Sequence, residues 1–202
     1  MIAAPNLAEF DWLVHGFGLR DSPPPAGVTT AKQIHSDIVL DAAGRRGEVI
    51  GEGDALISNQ PGVVLAVKTA DCVPILLVDP KMRVVAAVHA GWRGTAQNIV
   101  AATVGRLSDL WKTHPGDLRA AIGPSIGGCC YEVGAEVAQR FGIETDGPVH
   151  LDLASVNERQ LLAAGVSHIW KSTECTFCQA DRFFSFRRER ERAGRMVSII
   201  GH

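Results

Sequence analysis

Residues 63–94 read VVLAVKTADCVPILLVDPKMRVVAAVHAGWRG, and this stretch decides the fold. It holds three apolar runs in succession: Val63-Val64-Leu65-Ala66-Val67, Val73-Pro74-Ile75-Leu76-Leu77-Val78 and Val84-Val85-Ala86-Ala87-Val88. Runs this short, rich in β-branched residues and bounded by turn residues, are expected to be strands buried on both faces. Asp79-Pro80 closes the second run, and Lys81-Met82 can turn it back into the third as a hairpin.

Cys72 sits at the joint between the first two runs, and His89 at the exit of the third. A polar ligand at a strand end reaches a cleft without leaving an unpaired group in the core. His35, in Gln33-Ile34-His35-Ser36, is a third metal donor at a break in an apolar stretch. Two imidazoles and a thiolate suit zinc, and three protein ligands leave a fourth position open, as in catalytic sites. The three are 37 and 17 residues apart, so only the fold can unite them. Taken singly, each reads more readily as a buried free thiol or a hydrogen-bonded core histidine.

The loop after His89 weakens that plainer reading. Gly91-Trp92-Arg93-Gly94-Thr95 leads into a segment where Ile99, Val100, Thr103, Leu107, Leu110 and Trp111 recur at spacings of three and four. That is the one-sided stripe of a helix, with Thr95 expected to cap its first turn. A glycine-flanked turn at a helix start offers free N–H groups and a positive dipole end. Arg93 adds a fork suited to phosphate or carboxylate. A second glycine-rich turn, Gly123-Pro124-Ser125-Ile126-Gly127-Gly128-Cys129-Cys130-Tyr131-Glu132, follows the short run Leu118 to Ile122. Its small residues admit a ligand, and Ser125, Tyr131 and Glu132 can supply hydrogen bonds. An ordinary strand-to-helix turn explains the same residues equally well.

Towards the C-terminus, Asp152 is placed to cap a helix carrying Leu153, Val156, Leu161 and Ala164, which Gly165 ends. Val166 to Trp170 and Met196 to Ile200 are strand candidates. Arg187 to Arg192 alternates in charge and reads as a solvated, salt-bridged helix face. Cys175 and Cys178 form a Cys-x-x-Cys pair, and vicinal Cys129-Cys130 supply the other thiols outside Cys72. Vicinal cysteines chelate poorly in a tetrahedron, so packing near the site is expected ahead of a second metal or a redox pair.

Composition bounds the function. The 202 residues suffice for one large domain, taken here as 1–202, and 46% hydrophobic content allows a full core. A formal net charge of −2, with no basic stretch free of acids, disfavours a nucleic-acid polymer as partner. No apolar run approaches the ~20 residues of a membrane span. Met1 to Asn6 lacks the basic start and long apolar core of a signal peptide. Five cysteines, an odd number, suggest a reducing compartment, so a cytoplasmic location is expected.

Six ordered segments carry a family resemblance. They are Gln33 to Ser36, Gly53-Asp54-Ala55-Leu56-Ile57, Thr69-Ala70-Asp71-Cys72-Val73-Pro74, and His89 to Thr95. Ile122 to Ile126 with Cys129 to Val133 is the fifth, and Cys175 to Cys178 with Phe184-Ser185-Phe186-Arg187-Arg188 the sixth. From about His15 to the C-terminus the chain resembles the YfiH family, also labelled laccase-domain proteins, polyphenol oxidases or peptidoglycan editing factors. The resemblance implies a four-layered α/β/β/α fold, an α+β architecture with mixed sheets related to the catalytic domain of cytotoxic necrotizing factor. It implies zinc on His35, Cys72 and His89. It also implies phosphorolysis of purine nucleosides and deamination of adenosine. Cys72, His89, Asp71 and Arg93 are then the candidate catalytic residues, with Gln33, Arg93, Ser125 and Tyr131 as substrate contacts. Asp71 would serve as general acid/base or as partner to a histidine N–H.

The chain departs from the family pattern after His15-Gly16-Phe17-Gly18-Leu19-Arg20. Only Asp21 to Lys32 intervenes before Gln33, including Pro23-Pro24-Pro25, so roughly one helix fewer is expected. Two other functions remain open. One is a metal-free cysteine hydrolase with Cys72 as nucleophile and His89 as base, acting on a peptidoglycan precursor. The other is a non-enzymatic small-molecule binding protein. A multicopper laccase is excluded by stoichiometry, because its copper sites need about ten histidines and the chain has seven. One copper in the zinc position remains possible, since divalent copper outcompetes zinc at equal ligands.

Overall fold

Five short strands precede the three apolar runs: β1 (Val14–Gly16), β2 (Thr30–Lys32), β3 (Val39–Asp41), β4 (Val49–Glu52) and β5 (Ala55–Ser58). They are seen in a computed structural model that describes residues 1–23 and 25–202; Pro24, in the proline run, lies outside the described residues. The three runs form β6 (Val64–Thr69), β7 (Val73–Asp79) and β8 (Val84–Ala90). Next come α1 (Trp92–Ala96), α2 (Ile99–Trp111), β9 (Arg119–Ile122), β10 (Glu132–Val133) and α3 (Ala135–Gln139). The chain then runs through β11 (Val149–His150), α4 (Leu153–Ala163), β12 (His168–Lys171), α5 (Phe186–Glu189) and β13 (Met196–Gly201).

β7 and β8 pair as the expected hairpin, with Asp79 opposite Val84 and both strands buried throughout. They form the centre of a six-stranded mixed sheet in the order β12-β9-β7-β8-β5-β3. A three-stranded antiparallel sheet, β1-β13-β6, lies against it, and β2-β4 and β10-β11 make two small pairs. The period of two sorts the hairpin residues between faces. Ile75, Leu77, Ala86 and Val88 join Ile99, Val100, Leu107 and Leu161 in a core under α2 and α4. Leu76, Val78, Val85 and Ala87 meet Leu65, Val67 and Ile200 in a second core between the sheets. Each such Leu or Ile contributes roughly 1.5–3 kcal/mol by burial, so the hairpin is anchored from both sides.

The protein is thus a mixed α+β fold with several sheets and few helices. Among the described residues, helices, six-stranded sheet and three-stranded sheet give three layers. Residues Ala4, Leu7 and Leu13 add to the core between the sheets.

One local expectation needs correction. Thr95 caps nothing: it is buried inside α1, and its Oγ1 accepts from Asn157 Nδ2 at 3.0 Å. The longer helix starts after Asn98, which takes a left-handed φ of 60° and makes no side-chain cap. Asp152 does cap α4, accepting the Ser155 N–H at 3.0 Å. No described helix is long and apolar enough to cross a membrane.

Candidate metal centre and cavity

Strand register builds the site. Ala55 pairs with Val88, which sets Asp54 beside His89, and the His89 N–H donates to the Asp54 carbonyl at 2.7 Å. His89 also lies opposite Pro74, two residues from Cys72. The turn after β2 brings His35 to the same place. The donor atoms of His35, Cys72 and His89 lie within 4.8 Å of one another. His35 Nε2 is 4.0 Å from Cys72 Sγ, and the two imidazoles meet edge to face with centroids 4.9 Å apart. Tetrahedral zinc holds such N and S donors about 3.6 Å apart, so that pair need close by only a few tenths of an ångström. Gly91 makes the room: a Cβ there would fall 2.9 Å from His35 Cδ2 and 3.1 Å from Cys72 Sγ.

Asp54 organises the trio from behind. Its buried carboxylate accepts the backbone N–H groups of Ile34, His35 and Ser36 at 3.2, 3.0 and 2.7 Å, and the Ser36 hydroxyl at 2.8 Å. Those bonds hold His35 in a left-handed conformation, φ 62°, that a non-glycine residue adopts only when its surroundings enforce it. Asp54 Oδ1 also lies 2.8 Å from His89 Nδ1, leaving Nε2 as the free donor of that ring. Carboxylate–histidine pairs of this kind fix the tautomer of metal-binding imidazoles.

The charges follow from these contacts. Burial opposes ionisation of Asp54, but hydrogen bonds from His89 and Ser36 outweigh it and hold the carboxyl well below the usual range. Burial also opposes charge on His89 and Cys72. Bonds to Asp54 and Cys72 nonetheless lift His89 to about 9, and bonds to His35 and His89 bring Cys72 down to about 6. Cys72 is therefore a thiolate at neutral pH, the form a metal requires.

The trio lines a cavity of about 640 Å³ shared with Trp92, Arg93, Tyr131 and Phe186. Arg93 is exposed and stacks over Trp92 at 4.9 Å. Burial pushes the Tyr131 hydroxyl up to about 12, so it stays protonated. The other expected contacts fall differently. Gln33 lines the cavity, with its amide held by Lys68, donating to the carbonyl and accepting the N–H, each at 2.8 Å. Ser125 is buried in a bridge to Cys175 and is not among the cavity's lining residues.

Asp71 lines the cavity, and the bonds to its carboxylate come from other loops rather than from a histidine. It takes a left-handed φ of 86° and accepts Thr176 Oγ1 at 2.7 Å, Ser185 Oγ at 3.0 Å and the Arg187 N–H at 2.7 Å. Its carboxylate thereby anchors the start of α5. The partner of the histidine N–H is Asp54, whose segment carries the family resemblance but has no role of its own assigned from sequence.

The basic segment after Phe186 is likewise not just a solvated face. Arg188 donates to the carbonyls of Thr176, Phe177 and Phe183. Arg187 donates to the Glu132 carbonyl at 2.9 Å and covers Tyr131 at 5.2 Å. Arg187, Arg190 and Arg195 join Lys68 and Arg93 in lining the cavity. A chain of net charge −2 thus presents five cations to one cleft. The only sequence signal was the density of arginine between 187 and 195.

Comparison with known proteins identifies the family. A family model described as multi-copper polyphenol oxidoreductase laccase matches residues 17–202. A purine nucleoside phosphorylase of Deinococcus radiodurans is 45% identical over 158 residues, covering 74% of this chain and 61% of that protein. Adenosine deaminase RL5, from an unknown prokaryotic organism, is 40% identical over 161 residues, covering 73% and 61%. The chain is matched over about three fifths of the length of these two relatives. The crystal structure of Bacillus licheniformis hypothetical protein YfiH superposes with a TM-score of 0.86 at 29% identity, covering 96% of this chain and 94% of that one. The chain therefore belongs to the YfiH family, the family described as multi-copper polyphenol oxidoreductase laccase.

Proposed function

We propose that the protein is a zinc-dependent purine nucleoside phosphorylase that also deaminates adenosine, acting as one catalytic unit over residues 1–202. The observation that carries this reading is the meeting of His35, Cys72 and His89 in a cavity also lined by arginines. The donor set fits zinc in kind and spacing, and Asp54 supplies the supporting carboxylate. An ion held by these three residues would supply Lewis-acid activation at its open position.

The remaining roles belong to the chain's own side chains. The cavity volume lies in the ~300–1,000 Å³ range of small-molecule sites. Trp92, Tyr131 and Phe186 offer ring faces and edges to a purine. Tyr131 keeps its proton and can donate to the base. Arg93, with Arg187 and Arg190 nearby, would place phosphate against C1′ of the ribose. Phosphate oxygen then bonds to C1′ as the C1′–N9 bond breaks, and the purine leaves with a proton. Names borne by the relatives, purine nucleoside phosphorylase and adenosine deaminase, support the same reading.

The copper in the family's description is read here as at most one ion on the same three donors. Only two of the seven histidines meet there. Phenol oxidation, if measured, should scale with added copper and vanish in zinc-only protein. The depressed Cys72 thiol favours a second reading, a metal-free cysteine hydrolase with Cys72 as nucleophile and His89 as base. Elemental analysis separates the two, because a thiolate held by zinc is not a free nucleophile. Cys72→Ser should lose one zinc equivalent per chain relative to wild type; equal zinc in both proteins would sink the metal assignment.

A further inference from the structure

The four cysteines outside the cavity converge on one point. Cys129 and Cys130 lie in the turn after β9, and Cys175 and Cys178 in the segment after β12. Their four Sγ atoms lie within 4.8 Å of one another. Cys178 Sγ is 3.8 Å from Cys129 Sγ and 3.4 Å from Cys130 Sγ. Four sulfurs around zinc at Zn–S ~2.3 Å form a tetrahedron with edges of about 3.8 Å. We propose that Cys129, Cys130, Cys175 and Cys178 form a second, closed zinc site that pins these two loops together beside the cavity.

Three features favour a metal over a disulfide. A disulfide would use two sulfurs at about 2.04 Å and leave two others crowded against it. Here Cys178 is nearly equidistant from both members of the vicinal pair. The sequence objection to a vicinal pair was geometric, and the turn answers it. The N–H groups of Cys130 and Tyr131 both donate to the Gly127 carbonyl, at 2.9 and 3.0 Å, which curls the chain so that both thiols face the Cys175–Cys178 segment.

The surroundings also suit thiolate. The Gly127 N–H donates to Cys175 Sγ at 3.3 Å, the kind of amide bond that orients a thiolate ligand. A Cβ at 127 would stand 3.3 Å from Cys129 Sγ and 3.5 Å from Cys175 Cβ, so glycine keeps the centre open. Without a cation the four could not ionise together. Binding zinc releases the thiol protons to water, and all four sulfurs become ligands. No donor position remains for water, so the site is structural. It would hold the cavity-lining Ile126 and Tyr131 on one loop in place, and on the other Thr176, which donates to Asp71 of the cavity wall.

The inference is independent of the proposed chemistry, and the full-length chain tests it. Wild type purified without chelator is expected to carry two zinc equivalents, and Cys72→Ser one. A Cys129→Ser/Cys178→Ser double variant, altering two exposed side chains, is expected to lose one equivalent. X-ray absorption at the zinc edge of Cys72→Ser should show four sulfur neighbours at ~2.3 Å and no nitrogen. Full zinc content in the double variant would overturn the proposal. So would a native mass showing two hydrogens lost to a disulfide among the four. A Cys72→Ser protein that keeps all its zinc, while the double variant loses one equivalent, would support this site and count against the cavity metal alone.

Discussion

Asp54 Oδ1 lies 2.8 Å from His89 Nδ1 while the same carboxylate gathers three consecutive N–H groups around His35. One buried side chain thus aims both imidazoles. Asp54→Asn keeps the shape but replaces one oxygen with a donor, which conflicts with either His89 or the N–H groups. We expect a 10–100-fold loss of zinc affinity in chelator competition, as for other carboxylates behind metal-bound histidines. Unchanged affinity in a folded variant would show that Asp54 does not orient the ligands.

Gly91 separates space from chemistry. A methyl group there must displace His35 or Cys72, since its Cβ would stand 2.9 Å from one and 3.1 Å from the other. Its backbone is extended, φ −74°, so alanine brings no conformational strain. Gly91→Ala should fold with a melting temperature close to that of metal-stripped wild type yet fail to take up the cavity zinc. A variant that binds zinc as wild type does would mean the trio sits farther apart than described.

Cys72 has a testable acidity. In metal-stripped protein its thiolate fraction should rise with pH through about 6, because bonds to His35 and His89 outweigh burial. Alkylation with iodoacetamide, read peptide by peptide, should give that midpoint, against the ~8.5 of an ordinary thiol. Zinc should suppress the reaction across the range. A midpoint near 8.5 would contradict the ion-paired trio.

The legible part of this protein was the part where burial and chemistry coincide. β7 and β8 announced themselves because both faces are buried, so no polar residue interrupts them. His35, Cys72 and His89 stood out because soft donors rarely sit at strand ends without cause. The segment around Asp54 was visible but its role was not, because only the β5–β8 register puts the carboxylate beside His89. Arg187 and Arg190 were hidden because alternating charge usually means solvent, and long-range contacts to Asp71, Glu132 and Tyr131 tie that segment back to the cavity. The four-cysteine cluster needed the 127–131 turn, which sequence spacing does not reveal.

Arg93 should matter to one reaction more than the other. Removing a charge-assisted contact to phosphate costs ~1.5–3 kcal/mol, or roughly one to two decades in phosphorolysis efficiency. Arg93→Ala should leave deamination less affected, because water replaces phosphate. Arg187→Ala should slow both, since Arg187 also ties α5 to the Glu132 carbonyl and covers Tyr131. Equal losses in both reactions for Arg93→Ala would make Arg93 structural and move the phosphate site elsewhere.

The central claim is that this cavity converts purine nucleosides, and product analysis tests it most directly. Zinc-loaded protein is incubated with adenosine, with and without inorganic phosphate, and adenine, inosine and hypoxanthine are separated by chromatography. The account predicts adenine only when phosphate is present, inosine in both mixtures, and neither from Cys72→Ser. Absence of all three products from the zinc-loaded wild type, or wild-type rates from Cys72→Ser, would contradict it.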